Sequence, residues 1–206
     1  KNNSQVVALT EGIETLVLGS YWGLNIEARE DEPYGVLFGT PYLREDVDGD
    51  GVGDPEGRIV VHPARGYPLW DSDANRRVLG NYNPDWTGGL LNRFTYKNFD
   101  FSILFDTQQG GDVFSVTNMF GNYAGVLESS LEGRENGPCD PGIVVPNSVY
   151  DDGSGTYVEN SGDNAITVCP ELYNHALYYN DEAHIYDASY IKLREAKLGV
   201  RLPTEW

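Results

Sequence analysis

Residues 87–107, TGGLLNRFTYKNFDFSILFDT, restrict the fold more than any other stretch of this chain. They read as two strands of about nine residues each, joined by a very tight turn at Lys97-Asn98. In the second strand Phe99, Phe101, Ile103 and Phe105 share one face, while Asp100, Ser102, Leu104 and Asp106 share the other, which is the period of two that a strand imposes. A hairpin of a water-soluble sheet also alternates. This one carries its rings on the face that lipid would wet and its charges on the face that a water-filled lumen would hydrate, the arrangement of a membrane β-barrel. At about 3.3 Å per residue and a tilt of about 40°, nine residues rise by about 23 Å, close to the roughly 25 Å apolar band of such a barrel.

The flanking sequence fits that frame. Residues 1–9 read as the end of an ascending strand. Residues 10–86 hold short β-prone pieces at Ile13 to Leu18, Gly35 to Phe38 and Arg58 to Val61, broken by Gly, Pro and acidic clusters, and none is long enough to cross a bilayer. Residues 108–187 form a second long loop, with a short helix expected within Ser115 to Leu131. A hairpin of Val144–Tyr150 with Thr156–Val158 and one or two helical turns after Pro170 are expected further on. Residues 188–203 return as a strand whose lower half puts Ala196, Leu198, Val200 and Leu202 on one face and Glu195, Lys197, Gly199 and Arg201 on the other. Pro203 closes it, because proline cannot donate to a ladder, and residues 204–206 form the next turn. A two-residue turn at one end and loops of about eighty residues at the other match the barrel asymmetry of short periplasmic turns and long extracellular loops. The expected fold class is therefore all-β, a segment of a transmembrane antiparallel barrel with long extracellular loops.

The net charge of −18 excludes nucleic acid as a partner, because phosphate recognition needs the opposite sign. Residues 108–187 alone carry thirteen acids against Arg134. Such a segment reads either as a solvated, self-repelling loop or as an acidic mouth that favours neutral or cationic cargo.

One motif has metal-ligand spacing. In Asp46-Val47-Asp48-Gly49-Asp50-Gly51-Val52-Gly53-Asp54, carboxylates at positions one, three and five, a backbone carbonyl at Val52 and a carboxylate or water at Asp54 can wrap one Ca²⁺. Position twelve of a full EF-hand loop would be Glu, but Gly57 stands there and Glu56 comes one place early. The reading is an isolated calcium turn, with an ion-free acidic turn as the alternative. Catalytic signatures are lacking: there is no G-x-S-x-G, H-E-x-x-H, Walker loop or dinucleotide fingerprint, and His62, His175 and His184 are scattered. The Asp151-Asp152 pair sits in a Gly-Ser turn and reads as loop solvation. No enzymatic activity is expected.

Val78-Leu79-Gly80-Asn81-Tyr82-Asn83-Pro84-Asp85-Trp86-Thr87-Gly88-Gly89 followed by Phe94-Thr95-Tyr96-Lys97-Asn98-Phe99-Asp100 resembles the GNxNPDWxGG…YKNFD stretch of SusC/RagA-type TonB-dependent outer-membrane transporters. Gln109-Gly110-Gly111-Asp112-Val113-Phe114 resembles the segment leaving the upward strand. Asp187-Ala188-Ser189-Tyr190-Ile191-Lys192-Leu193-Arg194-Glu195 looks like that family's ASYxKLRE strand. The matches keep the family's order over about residues 35 to 202.

The resemblance implies a protein several times longer, with an N-terminal plug and a TonB-contacting segment, so this chain, which begins at Lys1, reads as a late, C-terminal segment of the barrel. It also implies import of glycans or oligopeptides together with a SusD-like surface lipoprotein. Many relatives carry a similar D-x-N-G-D-G segment just before the GNxNPDW stretch. For an exported protein the pair Cys139 and Cys169 suggests a disulfide, against two free thiols. Tyr123, Tyr150, Tyr157, Tyr178 and Tyr179 are the candidates for touching cargo or partner, since Tyr joins an apolar face to a hydroxyl, although most such residues simply pack the loop. The lumen-facing Arg93, Asp100, Asp106, Glu195, Lys197 and Arg201 read as contacts with the plug or with one another rather than with cargo. The rival architecture is a secreted, calcium-stabilised adhesin or carbohydrate-binding module, which would need a second sheet over the Phe99–Phe105 rings.

Overall fold

The computed structural model describes residues 2–202. In chain order its strands are β1 (Thr15–Tyr21), β2 (Leu24–Arg29), β3 (Val36–Gly39), β4 (Ile59–Val60), β5 (Arg77–Asn81), β6 (Trp86–Tyr96), β7 (Phe99–Gln109), β8 (Asp112–Phe114), β9 (Ser148–Asp151), β10 (Tyr157–Glu159), β11 (Ile185–Asp187) and β12 (Tyr190–Val200). Two α-helices, α1 (Val116–Tyr123) and α2 (Pro170–Leu177), lie in the second excursion.

The long hairpin is there, two residues longer on each strand than the alternation alone required. Strands β6 and β7 pair antiparallel from Trp86↔Gln109 to Tyr96↔Phe99, with Lys97 in the left-handed region at φ 51° to close the turn. Strand β12 lies on the far side of β7, giving the antiparallel order β12-β7-β6. The sheet is open: among the described residues, neither β6 nor β12 has a ladder partner on its outer edge. Eleven residues at about 3.3 Å each, tilted by about 40°, rise by about 28 Å.

The register sorts the side chains. Phe94, Phe101 and Leu198 form one cross-strand row and Leu90, Phe105 and Leu193 another, all on one face. That face is uncovered, with Phe94 60 % and Leu198 69 % exposed. The opposite face carries the rows Thr95–Asp100–Gly199 and Arg93–Ser102–Lys197, with Asp106 and Lys192 above them. In β12 the apolar residues change phase, from Ile191 and Leu193 to Ala196, Leu198 and Val200. One extra residue absorbs the change: Leu193 faces Phe105 and Glu195 faces Leu104, so Arg194 is a bulge.

The two excursions do not behave as separate loops. Residues 2–9, expected as a strand end, carry no ladder and are tied instead to the turn at residues 31–32 by Val6 N–H to Glu32 O (2.9 Å) and Asp31 N–H to Val6 O (2.9 Å). Residues 10–85 and 110–187 fold into one lobe. Its first layer is the sheet β1-β2-β3-β5, which buries Leu24, Ala28, Val36 and Leu37. A second sheet, β10-β9-β4, crosses between the excursions through the parallel pair Ile59↔Ser148 and Val60↔Val149. Its core is Val61, Ile143, Val145 and Val168, so the acidic second excursion is a folded unit and not a solvated, self-repelling loop.

The expected hairpin forms as β9–β10. Ser115 caps α1 by accepting the Asn118 N–H at 3.1 Å. Pro170 occupies the first turn of α2, where its missing N–H costs nothing. Cys139 and Cys169 are joined in a disulfide that closes a separation of 30 residues and fixes residues 133–143 to the start of α2. Pro203 and residues 204–206, read above as strand end and turn, lie outside the described residues.

Candidate functional site

The three segments that carry the family resemblance, residues 78–100, 109–114 and 187–195, meet in one place. Asp85 N–H donates to Gln109 O (2.9 Å), Asn81 N–H to the Asp112 carboxylate (2.9 Å), Gly110 N–H to Ser189 Oγ (2.8 Å) and Ala188 N–H to Gly111 O (2.9 Å). Gly110 and Gly111 sit at φ 71° and 83°. A Cβ on Gly111 would come within 3.1 Å of Pro84 N and one on Gly110 within 2.6 Å of Asp85, so the tight exit from β7 requires both glycines. This joint seats the lobe on the end of the long sheet, and it gives the motifs a structural reason.

A second tie runs between the excursions. Asp181 accepts the Thr40 N–H at 2.8 Å, and Glu182 accepts the Tyr42 N–H at 3.0 Å while pairing with Arg44. Burial pushes the Asp181 carboxyl up, and the Thr40 hydrogen bond only partly offsets it. Burial likewise depresses the His184 imidazole, whose Nε2 lies 2.9 Å from Leu177 O. Asp181 and Glu182 thus tie the second excursion to residues 40–44 of the first.

On the charged face of the long sheet, Arg194 pairs with Asp106 at 2.6 Å and Arg201 with Asp100 at 3.1 Å; Thr95 Oγ1 donates to Asp100 at 2.7 Å. Two of the predicted acids are thus satisfied by neighbouring strands. Arg93 and Lys197 flank the buried Ser102 and make no ion pair among the described residues.

In the Asp-rich turn, the carboxylate oxygens of Asp46, Asp48 and Asp50 lie within 4.8 Å of one another. Asp46 is aimed by the N–H groups of Gly49 (2.7 Å) and Gly51 (2.8 Å), and both glycines have positive φ. Asp54 is turned differently: its Oδ2 accepts the Val47 N–H at 2.7 Å. Three clustered carboxylates in an exposed turn suit a hard cation that takes most of its ligands as oxygen. Asp54 stands outside that cluster of side chains.

The five predicted tyrosines divide. Tyr150 packs against the Val61–Val168 core, and Tyr157 lies apart on β10. Tyr123, Tyr178 and Tyr179 join a continuous set of rings. Tyr178 is 4.9 Å from Tyr123 and 5.2 Å from Tyr179, centroid to centroid. Phe120 bridges Tyr178 to Trp22 at 5.6 and 4.9 Å, His175 sits between Tyr123 and Tyr179, and Trp70 stacks on Tyr179 at 5.3 Å. Phe120 was among the aromatic candidates of residues 108–187 and His175 among the scattered histidines; sequence reading missed Trp22 and Trp70, which come from a hairpin tip and a connecting segment. The available signal for Trp22 was Trp-Gly between two β-prone runs. Both residues take positive φ (55° and 112°), as a two-residue turn demands, and the ring stands 64 % exposed at the tip of β1–β2.

The three-stranded antiparallel sheet, with one bare aromatic face, one charged face and a lobe built from its long connections, makes this a mostly-β chain whose longest strands alternate as the strands of membrane barrels do. The chain is related to TonB-dependent receptors. It is 26 % identical over 176 residues to TonB-dependent receptor P26 of Formosa agariphila and 25 % identical over 219 aligned positions to TonB-dependent receptor P3 of the same organism. Those alignments cover 83 % and 98 % of this chain but only 16 % and 19 % of the relatives, so the chain spans less than a fifth of their length. No protein-family model matches the sequence.

Proposed function

We propose that this chain is part of the barrel wall and external rim of a TonB-dependent outer-membrane transporter of the SusC/RagA type, importing glycans or oligopeptides with a SusD-like lipoprotein over its mouth and TonB supplying energy from the periplasm. The lobe faces the extracellular side. The observation that carries this reading is the uncovered aromatic face of β6, β7 and β12: the rival secreted module needs a second sheet over those rings, and no described residues provide one. A cysteine placed at Leu90 in the intact protein should react with a lipid-confined reagent, and one at Arg93 only with a water-soluble reagent. Equal labelling of both by the aqueous reagent would remove the barrel from consideration.

The turn at Asp46, Asp48 and Asp50 is part of the proposal as a Ca²⁺ site that rigidifies the lobe, with Val52 and Asp54 contributing through a carbonyl or a water. Calcium titration of the intact protein should slow amide exchange across residues 46–54, with an affinity of roughly 10⁻⁴ to 10⁻³ M for an extracellular module. Asp48→Asn should abolish the effect; unchanged exchange in the parent protein at millimolar calcium would leave an ordinary acidic turn.

A further inference from the structure

We infer that a groove on the outer face of the long sheet, running from Leu90 past Trp86 to Tyr34 and Tyr82, binds a glycolipid of the outer leaflet, an amphiphile with an uncharged sugar head and an acyl chain. The inference rests on the transporter reading and adds a lipid site that this reading does not require.

The groove has two halves that meet at Trp86. The lower half is a cavity of about 470 Å³ walled by Trp86, Gly88, Leu90, Phe105, Thr107 and Ile191. It exists because the cross-strand row Gly88–Thr107–Ile191 is low: Gly88 contributes no side chain and Thr107 a short one, between the Leu90–Phe105–Leu193 row on one side and Trp86 on the other. The Trp86 ring lies over the glycine, with Cζ3 3.2 Å from where a Cβ would stand. Trp86 opens β6 at the lobe end, and Leu90 is less than halfway down that strand, so this half lies at the depth of the acyl chains of one leaflet.

The upper half is a cavity of about 510 Å³ at the strand ends, walled by Ser4, Tyr34, Tyr82, Asn83, Trp86 and Thr87. Its rings are held in place. Tyr82 is seated on the backbone of Gly35, where any Cβ would overlap its ring, and Asn83 Nδ2 donates to Tyr34 O at 2.6 Å. Tyr34, Tyr82 and Trp86 are all exposed. Ring faces beside amide and hydroxyl groups suit the apolar faces and hydroxyls of a sugar, and Trp and Tyr are the residues that favour the boundary between headgroups and chains. Charge selects among lipids. Among the described residues neither half is lined by a cation, and the one carboxylate, Asp106, is already paired with Arg194. A phosphate would find no Arg or Lys to bind it, whereas an uncharged sugar needs none. A soluble glycan would leave the apolar half empty; an occupant divided into chain and head fills both.

The test uses the intact protein in phosphatidylcholine vesicles with traces of two photoactivatable lipids, alike in their chains and differing in a glucosyl or a phosphoglycerol head, and maps the adducts by peptide mass. The glucosyl probe should label residues 86–91 and 105–107 in preference to the rest of the lipid face, and excess unlabelled glucosyl lipid should suppress that labelling where excess phosphoglycerol lipid does not. Trp86→Ala should weaken it by roughly two- to twelve-fold, the range for loss of one aromatic contact. Gly88→Leu fills the lower half while leaving the lipid face apolar, and should remove the preference altogether. Labelling near Leu198, low on the same face, should be unchanged in both variants and reports that they are folded and inserted. The inference is overturned if the two probes label residues 86–91 equally, if the glucosyl probe shows no preference for that stretch, or if Gly88→Leu labels as the parent does. Loss of the barrel reading would look different, with neither probe reaching Leu198.

Discussion

Leu193→Arg should cost about 2–4 kcal/mol of folding stability in a bilayer, the depth-dependent penalty for a cation on the lipid face of a barrel near the midplane. Leu193 stands near mid-strand in the row with Phe105 and Leu90, on the face that no other described element covers. The guanidinium there would have to leave water without a counter-ion, since the acids of this sheet, Asp100, Asp106 and Glu195, sit on the opposite face, the first two paired with Arg201 and Arg194. Lys197→Leu, on the same strand and on that charged face, should change stability by less than about 1 kcal/mol. Urea unfolding of the intact protein in lipid vesicles, followed by the gel shift that separates folded from unfolded barrels, measures both. Equal effects at the two positions would mean that the sheet has water on both sides.

Cys139→Ser or Cys169→Ser should destabilise the lobe by about 3–4 kcal/mol on the chain-entropy account of a 30-residue closure. The loss should be local. The cross-link holds residues 133–143 against α2 beside the Ile143–Val168 bridge, whose two hydrogen bonds of 2.9 and 2.8 Å lie over the Val61 core. The long sheet has no cysteine and no contact with that core. Hydrogen exchange under reducing conditions should therefore accelerate over residues 133–177 while β6, β7 and β12 keep their protection. Uniform acceleration through the sheet would show that lobe and wall unfold together.

What could be read from the sequence depended on how local its cause was. The hairpin at Lys97 was legible because its strands pair with their nearest neighbours and one face is almost entirely aromatic. Strand β12 was legible in its lower half only, because the apolar phase changes at Arg194. A single unbroken alternation cannot represent that change, but a bulge can. The lobe was not legible. Its core pairs Val61 with Ile143 and Val145, some eighty residues away, and no periodicity announces that meeting. High acidity then made 108–187 look like open loop, whereas most of its acids take surface positions, Asp181 excepted, and leave the apolar residues free to pack. The ring cluster was half legible: Tyr123, Tyr178 and Tyr179 belong to it, Tyr150 does not, and nothing in sequence separates a tyrosine on a core strand from one beside a helix face.

The joint of Asp85, Gly110, Gly111 and Ser189 has an evolutionary and practical consequence. The second excursion leaves β7 at Gly110-Gly111 and returns to β12 at Ala188-Ser189 through hydrogen bonds of 2.8 and 2.9 Å, so it begins and ends at nearly the same point in space. Whatever length of polypeptide lies between those anchor points, the strands beneath need not move to accommodate it. An excursion held this way can be lengthened, shortened or exchanged without disturbing the register of β6, β7 and β12.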